Sequence, residues 1–348
     1  MNDRISKVTI SDIARELNIT AATVSRALND HPGIKDTTKK AVKEMATQLN
    51  YRHNKIASSL RSGKSNIVGV IIPSAEISFF GSVVHGIEKV ANDNNYTVLL
   101  YQSNELYEYE KKGVQTFLQS QVDGVLASIS KETINLDHYS EIRNRGIPLV
   151  LFDRTNDKLG VSSVEVDDFA GAFQATKHLI DNGCRRIAHI AGQQHVNIFN
   201  LRLKGYIEAL NVHGIPLDDD LIVHGKVSVE SGRECMKKLL TGNTLPDAVF
   251  AVEDFTALGA MQAIKATDRT IPGDIAIIGF ANEAFGEFLT PSLSSVNQQT
   301  VTMGEEAAKL LFESLRSGHP SNSHPRKLVL KPQIIARQSS IKYGINPA

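Results

Sequence analysis

Seven short apolar runs recur after residue 66: IVGVIIP, TVLLYQ, DGVLASI, IPLVLF, RIAHIAG, DAVFAV and DIAIIGF. Each is continuous rather than alternating, the pattern of a parallel strand buried on both faces. Between them, apolar residues fall at helical spacing over roughly 80–92, 107–120, 170–182, 202–213, 230–240 and 257–266. Parallel strands must be joined by long crossovers, usually helices. The alternation therefore predicts an α/β body of doubly wound parallel sheets, with any ligand beyond the strands' carboxyl ends. The order strand, helix, "DG" or "DA", strand occurs near Asp123-Gly124 and again near Asp247-Ala248. That repetition suggests two similar halves with a cleft between them.

The first 66 residues have a different character. They carry 12 Lys and Arg against six Asp and Glu, a net +6 in a chain of 348 residues that nets zero. The remaining 282 residues therefore sum to −6. A basic head on an acidic body points to a polyanion-binding module at one end. Two cysteines, Cys184 and Cys235, are too few and too scattered for a disulfide framework or a zinc module. With no apolar signal core in MNDRISKVTI and no apolar run near 18 residues, the expectation is a soluble, cytoplasmic protein without a membrane partner.

Three short helices can be read in the head. Thr9-Ile10-Ser11-Asp12 has capping-box spacing, and Ile13, Ala14 and Leu17 supply an apolar face. Asn18-Ile19 forms a turn, after which Thr20 caps a helix through Leu28 with Val24, Ala27 and Leu28 inward. A third helix over about 36–49 buries Ala41, Val42, Met45 and Leu49. Lysine at position 35 cannot accept orphan N–H groups, so Asp36 is expected to cap this helix. Two helices joined by a short turn and propped by a third make a helix-turn-helix.

The strings VTISDIARELNITAATVSRALND, TTKKAVKEMATQLNYR and NKIASSLRSGKSNIVGVIIP closely resemble the lactose-repressor (LacI/GalR) family. The likeness is near-continuous over residues 8–73 and extends through the body. It implies a helix-turn-helix domain at 1–53, a hinge helix and linker at 54–65, and an effector-binding and dimerisation domain at 66–348. It implies a periplasmic-binding-protein-like sensor of two subdomains, the first about 66–166 and 297–326, the second about 167–296 and 327–348. On this resemblance KLVLKPQIIARQS returns to the second subdomain.

Resemblance places Ala21, Ala22 and Arg26 at the base-reading positions of the second helix. Arg26 can fork onto guanine O6 and N7, whereas the two alanines can only accept a thymine methyl or stand aside. Thr20, Ser25, Asn29, Thr38 and Lys55 are expected on the phosphate backbone, positioning without specifying. The hinge 54–61 is too short to be stable alone in water. In the family it folds on DNA, with the leucine matching Leu60 wedged into the minor groove and Ala57 allowing the paired helices to approach. Gly63-Lys64-Ser65 is no P-loop, because Ser58 stands where the first glycine is required and a strand follows.

In the body no G-x-G-x-x-G, G-x-S-x-G or H-E-x-x-H is present, so catalysis has no constellation and neither cofactor nor metal is expected. Strand ends and loops mark Asp153 and Glu253 as effector-binding candidates. The resemblance adds Phe79 and Phe80, where relatives stack an aromatic on the ligand, and Arg202, opening a helix. Asn200, beside Arg202, and Asn282 complete the set. Sugars suit such a set: planar polar groups chelate adjacent hydroxyls while an aromatic covers the ring face. Two departures stand out. Relatives read G-[FY]-D-D where this chain has Gly279-Phe280-Ala281-Asn282-Glu283, so Asn282 or Glu283 substitutes or the ligand differs. Val196 stands where purine-sensing relatives carry arginine. The expected function is a non-enzymatic, homodimeric bacterial transcription regulator, gripping a pseudo-palindromic DNA operator and controlled by a small metabolite, most simply a sugar. A nucleoside or a protein partner is the alternative control, and a sugar-binding protein with incidental DNA affinity is the remote one.

Overall fold

The computed structural model describes residues 8–51, 64–317 and 325–342, and the chain divides into two units, residues 1–65 and 66–348. The hinge residues Lys55, Ala57 and Leu60 lie outside the described residues. In the head, the first helix spans Ile10–Glu16, and the Asp12 carboxylate accepts the Thr9 N–H at 2.9 Å and the Thr9 hydroxyl at 2.7 Å. Asn18 ends it in the left-handed region at φ 50°, where asparagine is tolerated. Thr20 then caps helix Ala21–Leu28, its hydroxyl oxygen accepting the Thr23 N–H at 3.1 Å.

Helix Asp36–Gln48 completes the bundle. Ile13, Ala14, Val24, Ala27, Val42 and Ala46 form its core, with Leu17, Leu28, Met45 and Leu49 packed partly against it. Ala46 replaces the expected Ala41, which is only half-buried. The buried stripe runs through Val42 and the residue one turn beyond it. The capping expectation at the third helix also fails. Lys35 occupies the N-cap position without a side-chain cap hydrogen bond, and Asp36 is the first helical residue.

The body holds twelve strands among the described residues: β1 Ile67–Ile72, β2 Thr97–Gln102, β3 Gly124–Ala127, β4 Leu149–Phe152, β5 Ser162–Val166, β6 Ile187–Ala191, β7 Ile222–His224, β8 Ala248–Ala251, β9 Ala276–Ile278, β10 Ser295–Asn297, β11 Lys327–Leu330 and β12 Gln333–Ile335. The first sheet has the order β11-β5-β4-β3-β1-β2 and the second β7-β6-β8-β9, both parallel throughout. β10 and β12 form a separate antiparallel pair. This is the expected α/β architecture of two doubly wound halves. The internal repeat is physical: Asp123 Oδ2 accepts the Asn66 N–H just before β1, and the Asp247 carboxylate accepts the Arg185 and Arg186 N–H groups just before β6.

Two readings of the strands need correction. TVLLYQ is not buried on both faces; β2 is the sheet edge, with Leu100 45% exposed. β5 was hidden because its buried residues include Ser162, Ser163 and Glu165, which break the apolar pattern.

The third chain crossing also moves. β11 pairs in parallel with β5, so residues 327–330 belong to the first sheet, and the chain leaves it only at Lys331-Pro332 before β12 joins β10. KLVLKPQIIARQS thus holds two strands, one in each half, and only its second part returns to the second half. Proline cannot donate a ladder hydrogen bond, so it marks the break. Lys327 pins the added edge strand through Glu165 at 3.1 Å.

Helix Thr300–Ser317 returns to the first half and crosses helix Ser78–Asp93 through small residues. A Cβ on Gly86 would lie 2.2 Å from the Val301 carbonyl, and one on Gly304 2.0 Å from that of Val83. Only glycine permits this approach at both positions. Among the described residues no helix is long and apolar enough to cross a membrane.

Candidate functional site

The head presents one helix face outward. Val24 and Ala27 are fully buried, which turns Ala22 and Arg26, one turn apart, to the exposed side of helix Ala21–Leu28. Arg26 enters no ion pair among the described residues. Thr20 and Asn29 are exposed at the two ends of the same helix, and Ser25 is half-buried beside them. Asn29 spends an amide proton on the Ser25 carbonyl at 2.7 Å, and Thr20 serves as the cap. Ala21 is half-buried against the head's core, which limits what it offers to a base. Thr38 is half-buried in the first turn of helix Asp36–Gln48.

In the body a partly open cleft lies where the carboxyl ends of the strands meet. Its lining includes Phe79, Phe80, Asp153, Arg202 and Glu253, five of the seven residues expected there. Phe79 and Phe80 occupy the first turn of helix Ser78–Asp93 and meet edge to face at 5.0 Å. Asp153 follows β4 in the left-handed region at φ 61°, a strained setting for a non-glycine residue of the kind that gathers at binding sites. Burial raises its carboxyl above the usual range, and the Ser128 hydroxyl donates to it at 3.2 Å.

Arg202 does not open its helix. It is the sixth residue of Asn197–Val212, 2% exposed, and largely engaged. Its Nε donates to Asp168 at 2.8 Å and its Nη1 to the Val252 carbonyl at 2.7 Å, while the guanidinium lies 3.6 Å over the Phe280 ring. Burial pushes the Asp168 carboxyl up to about 7 despite that arginine. Glu253 caps helix Asp254–Lys265 by accepting the Phe255 N–H at 2.9 Å. Desolvation, then the neighbouring Asp254 and Glu283, push Glu253 up to about 8.

Asn200 and Asn282 do not reach the cavity lining. The Asn200 amide donates to Gln194 at 3.3 Å, and the Asn282 amide oxygen accepts from Arg337 at 3.0 Å. Ala281 at φ 118° and Asn282 at φ 54° form a tight turn that swings the asparagine away and delivers Glu283 to the lining. Of the two substitutes expected for the missing aspartate, the glutamate takes the position.

Three polar lining residues were not anticipated: Lys131, Arg154 and Gln298. Arg154 and Lys131 share the Glu105 carboxylate, at 2.7 and 3.3 Å, and also face an adjoining pocket. Both lie just beyond strand ends, Lys131 after β3 and Arg154 after β4. Applying the carboxyl-end rule to every strand, rather than to the matching residues alone, would have marked them. The Arg154 Nε is buried without a hydrogen-bond partner and lies 3.8 Å from the Asp153 carboxylate. Among the described residues no cluster of His, Cys, Asp and Glu is suited to a metal.

Comparison with known proteins decides the family. Residues 9–54 match the model for bacterial regulatory proteins of the lacI family, and residues 176–340 a periplasmic binding protein-like domain. Catabolite control protein A of Priestia megaterium is 35% identical over 87% of this chain and 91% of its own length. The chain belongs to the LacI family. It is a DNA-binding transcriptional repressor of that family with an effector-binding domain of periplasmic-binding-protein type. Among solved structures, a transcriptional regulator CelR–cellobiose complex is 28% identical, covers 95% of this chain and 99% of its own, and superposes with a TM-score of 0.72. The lac repressor dimer bound to operator and an anti-inducer superposes at 0.86 over 97% of this chain and 100% of that one, and at 22% identity shows the fold.

Proposed function

We propose that this LacI-family repressor is a cytoplasmic homodimer that reads a pseudo-palindromic operator through Arg26 and responds to a small sugar or sugar derivative in the body's cleft. The observation that carries the effector reading is the chemistry of one cavity. Phe79 and Phe80 offer aromatic surface, while Asp153, Arg154, Arg202 and Gln298 offer planar donors and acceptors around it. That pairing suits a polyhydroxyl ring, whose faces are apolar and whose rim is all hydroxyls. Kinship with a regulator solved with cellobiose supports the same class.

In the head, Arg26 and Ala22 share an exposed face, the arrangement needed for an arginine to enter the major groove beside a residue that gives no competing hydrogen bond. Thr20, Ser25, Asn29 and Thr38, with Lys55, position the head on phosphates. Leu60 and Ala57 serve the minor-groove hinge. Exposed Leu100, Leu106 and Tyr109 on and beside the β2 edge give a second copy an apolar surface to cover.

The test has two arms. Selection of bound sites from a random duplex library at fixed salt should return a palindrome with a guanine in each half-site. Calorimetry against a panel of pentoses, hexoses and disaccharides should find one that binds and shifts operator affinity. A panel with no binder and an unchanged operator affinity would remove the sugar reading. Control by a protein partner would then be favoured, a reading that draws on Ala281 and on the internal pairing of the cleft's charges.

A further inference from the structure

We propose that Glu283 is the latch of the cleft: carried by the second subdomain, its carboxylate docks on the N-terminus of helix Ser78–Asp93 in the first and holds the two halves closed without an effector. Glu283 is 3% exposed. Its Oε2 accepts the Ser78 hydroxyl, and its Oε1 accepts the Phe79 N–H at 3.2 Å. These partners lie more than 200 residues away in sequence and belong to the other half.

Helix Ser78–Asp93 has a vacancy that this carboxylate fills. Its N-cap residue is Ile77, which has no side-chain acceptor, so the first-turn N–H groups lack a local cap. An anion at that end also complements the helix dipole. A helix starting with its own serine or aspartate cap would have no such need. Here the cap comes from across the cleft.

The backbone around Glu283 is fixed within the second subdomain, so the side chain alone reaches over. The Ala281 N–H donates to the Val296 carbonyl at 2.9 Å, and the Asn282 N–H to the Ser295 hydroxyl at 2.9 Å. The Glu283 N–H donates to Asp254 Oδ2 at 2.7 Å, and that carboxylate also accepts the Ser295 hydroxyl at 2.7 Å. A second, exposed contact spans the same cleft, from His195 Nε2 to the Lys131 carbonyl at 3.0 Å. Charge-assisted hydrogen bonds are strengthened away from water, and on opening both partners can be rehydrated. The contact is therefore a reversible latch. An effector that prefers the closed state finds part of the closing free energy already supplied, which raises its apparent affinity by the closed fraction.

The latch goes beyond the effector reading, and its test needs no effector. Nitroxides at Ile134→Cys and Lys226→Cys would sit on exposed positions of the two halves, since Cys184 and Cys235 are buried. Pulsed electron-spin distances in the full-length, spin-diluted protein report the opening. The latch-intact protein should show one short distance population. Glu283→Ala should shift the closed-to-open ratio about tenfold or more, the size expected for losing charge-assisted hydrogen bonds. Ser78→Ala, which keeps the Phe79 N–H, should fall between, and serves if Glu283→Ala does not fold. Identical distance distributions in all three proteins, or an open distribution before substitution, would overturn the latch. Either result leaves the sugar reading to stand or fall by calorimetry.

Discussion

In the head, Arg26 and Ala22 stand exposed on a helix whose other face, Val24 and Ala27, is fully buried; in the body, Arg202, Asp153 and Glu283 are almost wholly buried and each already holds a partner. On the proposed reading, the head presents these groups to DNA, which supplies the partners they lack. Its recognition side chains can be changed with little consequence for its core. The cleft instead has satisfied most of its polar groups internally, so on the proposed reading an effector bound there exchanges hydrogen bonds rather than simply adding them. In the body, function and stability therefore draw on the same residues.

The sharpest way to break this contrast is to truncate the matching arginines. Arg202→Ala should cost about 3–5 kcal/mol of body stability, because it breaks the buried pair with Asp168 and leaves the buried Val252 carbonyl without its donor. Denaturant unfolding measures this, and a loss below about 0.5 kcal/mol would mean that Arg202 is available to the effector after all. Arg26→Ala should cost roughly 1–3 kcal/mol of operator discrimination at one base pair per half-site. Its unfolding midpoint should not move. Site selection on the variant checks the first statement, and unchanged base preference would remove Arg26 as the reader.

Smaller changes sharpen the comparison within each unit. Thr20→Ala removes the cap of helix Ala21–Leu28 and should destabilise the head by about 1 kcal/mol, read as a shift in the head's melting transition. The body's melting should not follow it.

Glu253→Gln probes the carboxyl that burial raises and keeps an acceptor for the Phe255 N–H. Glu253 moves from an ordinary value of 4.5 to about 8 on folding, so the folded state binds more protons across that window. Its contribution to stability is accordingly full below the lower value and declines as pH rises toward the upper one. The glutamine variant should melt with the wild type at pH 4, gain on it progressively to pH 8, and then hold a constant lead. A lead independent of pH would show that Glu253 is ionised in the folded protein.

Much of this was open to reading from the residues. Periodicity and capping spacing found the helices of the head, because Ile13 with Leu17, Val24 with Leu28, and Val42 with Met45 and Leu49 each recur at helical spacing around one small core. Seven continuous apolar runs found seven of the parallel strands. Three escaped: β7 is only three residues long, β11 was assigned to the other half, and β5 has buried serines and a glutamate satisfied by partners such as Thr155 and Lys327, signals that a pattern of hydrophobicity cannot register. Ala41 and Ala46 are indistinguishable in composition and differ only in which face the neighbouring helices cover.

The sequence by itself determined the family, the order of head and body, the parallel α/β class and the outward-facing Arg26, since each depends on local periodicity or on a contiguous motif. Tertiary structure alone decided that Arg202 is held by Asp168, that Asn282 turns away, that residues 327–330 join the first sheet, and that Glu283 caps a helix on the far side of the cleft. Those outcomes depend on which groups are brought within about 3 Å of one another, the reach of a hydrogen bond. That proximity is set by how separate segments pack, and no spacing along the chain encodes it directly.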